Sequence, residues 1–109
     1  MSDNLQYLDS ANFESHINNA RCPVLVDFYA DWCGPCNALS PTIEAATDTY
    51  ADHPDVVKVD VNDNGDLAAR YGVRSIPTLV VFKDGVVTET VVGASGNGEL
   101  PALIERHLQ

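Results

Sequence analysis

Two cysteines separated by Gly34-Pro35, within Trp32-Cys33-Gly34-Pro35-Cys36, are the residues of this chain best equipped for chemistry. A thiolate is both a strong nucleophile and a leaving group at another sulfur, so two thiols spaced to bridge each other can exchange disulfides. Their surroundings decide whether they do. Residues 24–30 form an apolar run rich in β-branched and aromatic side chains, long enough for a buried strand. Beyond the cysteines, Leu39, Ile43, Ala46 and Tyr50 recur at helical steps. The pair therefore sits where a strand hands over to a helix. The first helical turn offers unpaired N–H groups and a partial positive charge, which stabilise a thiolate. A spacing of three residues puts both sulfurs on one helix face, close enough to bridge. On this reading Cys33 is the exposed, low-pKa nucleophile and Cys36, a turn deeper, is the resolving thiol.

Cys36 must lose its proton while buried, which requires a base acting directly or through a water. Asp27 is the one carboxylate in the preceding apolar strand, and burial would raise its pKa toward useful values. Taken alone, Asp27 reads equally well as a satisfied core carboxylate; its place upstream of the thiols favours the functional role. Lys58 divides evenly between a modulator of Asp27 and a lysine whose stem lies on apolar surface with its head in water.

The elements that must hold these groups follow along the chain. Residues 5–8 suit an edge strand. Asp9 and Ser10 can cap a helix carrying Phe13, Ile17 and Ala20 on one face, which Cys22-Pro23 ends. The helix after the cysteines runs to about Tyr50 or Ala51, kinked at Pro41. His53-Pro54-Asp55 is a turn into a strand over 56–61, and residues 66–71 form a short helix that Gly72 can end. Pro77 precedes a strand over 78–82. Asp84-Gly85 signals a hairpin into an antiparallel strand over 86–92. After a link over 93–98, Leu100, Leu103, Ile104, His107 and Leu108 form the stripe of a closing helix. The order βαβαβαββα implies an α/β fold: a mixed five-stranded sheet with four helices on its two faces.

At 109 residues the chain is expected to form a single domain, residues 1–109. An apolar fraction of 45% argues for a globular fold. Its net charge of −10, with only six Lys and Arg, speaks against nucleic acid and anionic membranes as partners. Three cysteines are too few for a structural disulfide framework. The opening Met-Ser-Asp-Asn-Leu-Gln has neither the basic patch nor the apolar stretch of a secretory signal, so the expected compartment is the cytoplasm, where thiols are kept reduced.

Asp27-Phe-Tyr-Ala-Asp-Trp-Cys-Gly-Pro-Cys36, Lys58, Ser75-Ile-Pro-Thr78, Phe82-Lys-Asp-Gly85 and Val92-Gly93 together closely resemble the thioredoxin family, in order and spacing across nearly the whole chain. The resemblance implies the thioredoxin fold and a protein-disulfide reductase that takes part in electron transport and cell redox homeostasis. Cys33 would attack a substrate disulfide, and Cys36 would release the product, leaving a Cys33–Cys36 bridge. It further implies a cis Pro77 against the cysteines and an Ile76 backbone that pairs with an extended substrate. Trp32, Gly34, Pro35, Ile76, Pro77, Val92, Gly93 and Ala94 would form the docking surface of a monomer. No cofactor would be bound: NADPH and FAD would belong to the partner, thioredoxin reductase. Ribonucleotide reductase, peroxidases and methionine sulfoxide reductases would be among the substrates.

The chain departs from the family at several positions: Asn37 where Lys or Arg is common, Tyr29 for a second Trp, Ser75 for Gly and Asn62 for Asp. The missing charge at position 37, with Asp31 close by, bears on reduction potential and partner choice, not on the reaction class.

Competing readings are weaker. A metal centre needs about four ligands, while Cys22, His16, His53 and His107 are scattered and the histidines are expected in solvent. Cys22 reads as a small buried or edge residue. Residues 60–65 match the start of a calcium loop, yet the twelfth position is Tyr71 instead of Glu. An oxidase or isomerase on the same fold would carry a His between the cysteines, where this chain has Gly34-Pro35. A non-catalytic binding subunit would dispense with the thiols altogether.

Overall fold

The computed structural model describes residues 5–49, 55–93 and 99–107. Along them run β1 (Gln6–Leu8), α1 (Phe13–Asn19), β2 (Val24–Tyr29), α2 (Gly34–Thr49), β3 (Asp55–Asp60), α3 (Gly65–Arg70), β4 (Thr78–Lys83), β5 (Val86–Val92) and α4 (Glu99–Glu105). The strands form one sheet in the order β1-β3-β2-β4-β5. β1 and β2 both run parallel to β3, while β4 is antiparallel to β2 and to β5. This is the mixed α/β arrangement expected from the order of elements.

β2 lies at the centre of the sheet and is covered on both faces, which is why its sequence is continuously apolar instead of alternating. Val24, Val26 and Phe28 join Phe13, Ile17, Leu67 and Phe82 in one core. Leu25 faces the other, with Leu39, Ile43, Val81, Leu103 and Ile104 of the flanking elements. Alternation along the strand puts Asp27 and Tyr29 on the same side as Leu25. The apolar stripe of α2 thus covers the sheet face that carries Asp27.

Local details differ from expectation at some positions and agree at others, Pro41 and Gly72 among the latter. α1 is entered through Asn12, whose side chain makes no cap bond to the helix. Asp9 caps the turn before it, its Oδ1 accepting N–H bonds from Ala11 and Asn12 at 2.9 and 3.0 Å. Ser10 is drawn away to Asn64 and Asp66. Pro41 lies within α2 without ending it. Gly72 does end α3: at φ 68° it lets its own N–H reach Ala69 O and that of Val73 reach Ala68 O. Histidines expected in solvent are paired: His16 binds Asp55, and His107 binds Glu89 alongside Arg106. Hydrogen bonds from Arg106 and His107 hold the Glu89 carboxyl down at about 2. Tyr50, Ala51, His53, Pro54, Leu108 and the link over 94–98 lie outside the described residues.

The hairpin between β4 and β5 turns at Asp84 and Gly85, with φ of 55° and 80°. Such a pair matches the twist of the strands it joins. A Cβ at position 85 would also come within 3.0 Å of Asn18 Oδ1. Gly85→Ala is expected to cost about 1–2 kcal/mol, read as a lower urea midpoint at an unchanged slope.

Candidate active site

Cys33 immediately precedes α2 and Cys36 falls in its first turn. The two are joined as a disulfide, with Cα atoms 5.2 Å apart. Cys33 serves as the helix cap. Its Sγ accepts the Cys36 N–H at 3.1 Å, and its carbonyl accepts the Asn37 N–H at 3.0 Å. A sulfur in that position faces the positive end of the helix, and the first turn holds no acidic residue to oppose it. Cys33 was expected to be exposed, but it is only 5% accessible, against 3% for Cys36. The rim that covers it includes the Ile76 carbonyl oxygen, 3.8 Å from Cys33 Sγ.

Around this pair lie the residues expected to dock substrate. Trp32 is 69% exposed, and its Nε1–H donates to Asn62 Oδ1 at 3.1 Å. Gly34, Pro35, Val92 and Gly93 are exposed, Ile76 is half-buried and Pro77 is buried. The Ile76–Pro77 peptide is cis. The Pro77 carbonyl accepts the Gly93 N–H at 2.8 Å, which ties the start of β4 to the end of β5 beside the thiols. Ile76 also packs on the cysteine pair, together with Tyr29 and Val61. Ala94 lies outside the described residues. Asn37, where the family often has a cation, donates through Nδ2 to the Asp31 carbonyl instead.

On β2, the strand that leads to the disulfide, Asp27 is 1% exposed and its Oδ1 has no hydrogen-bond partner among the described residues. Burial pushes its carboxyl up to about 6, and the Lys58 ammonium pulls against that rise. Lys58 is its direct partner across the β2–β3 register. Of the two readings open for Lys58, the one with its head in water is excluded by its position: the residue is buried, and its ammonium lies over the rings of Tyr29 and Tyr7. In the sequence Tyr29 stands out only as a departure from Trp, and Tyr7 carries no signal of its own. Period-two alternation could have put Tyr29 beside Asp27, whereas Tyr7 meets Lys58 only through the register of β1 on β3.

Among the described residues, no group of three or more His, Cys, Asp or Glu is arranged to hold a metal ion. Residues 60–65 form a strand-to-helix turn closed by its own bonds, with Asn62 N–H on Asp60 Oδ1 and Asn64 N–H on Asp60 O. Tyr71, at the twelfth position of the calcium pattern, belongs to an aromatic cluster with Phe13 and Phe82.

The family model for Thioredoxin matches residues 4–106. The chain belongs to the thioredoxin family. Thioredoxin 1 of Synechococcus elongatus is 44% identical over 98 residues, or 90% of this chain and 92% of the relative. Thioredoxins of Acidithiobacillus ferridurans and Pseudomonas aeruginosa are 40% and 39% identical over 108 residues, or 99% of this chain and 100% of each relative. As a member of the thioredoxin family, the protein is a protein-disulfide reductase, an oxidoreductase whose redox group is its own Cys33–Cys36 disulfide. Its partners as a class are disulfide-bearing substrates and the reductase that restores the dithiol. No helix among the described residues is long and apolar enough to cross a membrane.

Because folded Asp27 titrates near 6, above the ordinary 3.8, its favourable contribution to stability is complete below about pH 4 and is lost as pH rises through about 6. Asp27→Ala is therefore expected to be more stable than the wild type at pH 8, by up to about 3 kcal/mol, and to lose that advantage near pH 4. Urea unfolding across this range measures it, and a variant weaker than wild type at pH 8 would rule out burial as the cause.

Proposed function

We propose that Cys33, as thiolate, attacks one sulfur of a substrate disulfide. The substrate S–S bond breaks, its second sulfur leaves as a thiolate, and a mixed disulfide forms on Cys33. Asp27 takes the proton from Cys36, directly or through a water, and Lys58 keeps the Asp27 pKa from climbing further. Cys36 then attacks Cys33 Sγ, expels the second substrate thiolate and closes the Cys33–Cys36 bridge. Two electrons have passed to the substrate. Trp32, Gly34, Pro35, Ile76, Pro77, Val92 and Gly93 form the docking surface, with Ala94 as its extension, and the Ile76 backbone pairs with an extended substrate segment.

The observation that carries this reading is the position of Cys33 Sγ on a helix-start N–H, next to the Ile76 carbonyl, with a buried ionisable carboxylate on the strand that leads to it. Sulfur held there is stabilised as an anion, and a carboxyl near 6 is matched to a proton transfer at neutral pH. The protein acts as a single-domain monomer in the cytoplasm, carrying electrons from an NADPH- and flavin-dependent thioredoxin reductase. Its targets include ribonucleotide reductase, peroxidases and methionine sulfoxide reductases.

Reduction of insulin disulfides, driven by a bacterial thioredoxin reductase, tests the roles. Cys33→Ser is expected to abolish activity. Cys36→Ser is expected to trap a covalent mixed disulfide, visible by mass spectrometry under non-reducing conditions. A Cys33→Ser protein that still reduces insulin would overturn the assignment. For the base, release of substrate from the mixed disulfide should quicken as pH rises through about 6 in wild type. Asp27→Asn should slow that step by about 10²-fold and flatten its pH profile.

A further inference from the structure

Register places Tyr7 opposite Lys58 and Lys58 opposite Asp27, so one row across β1, β3 and β2 carries all three residues on one face. Tyr29 follows Asp27 by two residues and shares that face. The Lys58 ammonium stands 4.2 Å from the centre of the Tyr29 ring and 5.7 Å from that of Tyr7. The two rings meet edge to face, with centres 6.3 Å apart. Tyr29 also packs against the small buried cluster that Ala30 forms with Cys33 and Cys36, so a single side chain lies against both the ammonium and that cluster.

A lysine on an outer row of a sheet ordinarily extends its head into water. Lys58 is buried instead, and the aromatic faces supply the reason: a ring quadrupole attracts a cation placed over it. The Tyr29 phenol is pushed up to about 12 by burial and by Asp60, Tyr7, Asp31 and Asp27. It therefore stays neutral, and its ring remains a cation-binding face throughout the working range.

We propose that Tyr29, supported by Tyr7, is a positioning residue for disulfide exchange: the two rings fix the Lys58 ammonium beside Asp27. The role in exchange rests on Asp27 being the base, whereas the electrostatic link from ring to ammonium to carboxyl does not. The groups concerned are Lys58 and Asp60 on β3, Tyr7 on β1, Tyr29 on β2 and Asp31 just beyond it. Leu79, the partner of Asp27 on β4, carries no charge, and Cys36 on α2 is held in the disulfide.

The Asp27 carboxyl can be titrated by carbon-detected NMR in the oxidised protein, where neither thiol interferes. Tyr29→Leu is expected to raise the Asp27 midpoint by roughly half a pH unit or more, and Tyr29→Phe to leave it in place. Lys58→Met should raise it too, and Tyr29→Leu should then add nothing. Tyr7→Leu, at an exposed position that tolerates change, should give a smaller rise of the same sign even if Tyr29→Leu fails to fold. An unmoved midpoint in Tyr29→Leu or, should that variant not fold, in Tyr7→Leu would overturn the proposal. So would an equal rise from Tyr29→Leu with and without Lys58. Should Asp27→Asn leave the release step untouched while the midpoints shift as stated, the base assignment fails and the ring–ammonium link stands.

Discussion

Keeping a carboxylate inside the sheet is the constraint around which this molecule is arranged. Asp27 shares a strand face with Leu25, lies under the apolar stripe of α2, and has one oxygen with no hydrogen-bond partner among the described residues. Its displacement from 3.8 to about 6 corresponds to about 3 kcal/mol at neutral pH. That is a large part of the 5–15 kcal/mol by which domains of this size are ordinarily stable. A fold carries such a burden where the group has work to do, and the strand that holds this group leads to the dithiol. Lys58 moderates the burden without removing it; a bonded ion pair would return the carboxyl to its ordinary range, too weak for the proposed proton transfer.

The cysteines solve a complementary problem. A sulfur anion must be stable enough to form and reactive enough to attack. Placing Cys33 at the cap of α2 supplies stabilisation from backbone dipoles and one N–H bond, with no cation required. This explains why Asn37 is compatible with the chemistry. Its side chain is spent on the Asp31 carbonyl, tying together the loop that leads into the helix. Rigid elements on both sides, β2 before and α2 after, hold the sulfur at that point.

Much of this was legible in the chain. Asp27, the two cysteines and the switch from strand to helical period lie within a few residues of one another, so local pattern was enough to place them. The Asp84-Gly85 turn and the Gly72 stop were equally readable, since each depends on one backbone conformation. What escaped depends on elements distant in sequence. Lys58 could be read either way until β3 was set between β1 and β2, and Tyr7 acquired meaning only through that same register. His16 and His107 looked like solvent-facing residues because their partners, Asp55 and Glu89, lie on other elements. The accessibility of Cys33 was overestimated for a similar reason: the carbonyl of Ile76 is distant in sequence and comes from the segment that leads into β4, the neighbour of β2.

Trp32 is the largest apolar side chain left in solvent, and its indole is steadied by the amide of Asn62. An amide carries no charge, so this tether is indifferent to acidity and only weakly sensitive to ionic strength. In the proposed mechanism, acidity can therefore govern when the buried proton moves without altering the proposed docking face. Under the roles proposed for Asp27 and Trp32, recognition and turnover are uncoupled, and a change of pH would alter how fast a captured partner is let go, not which partner is captured.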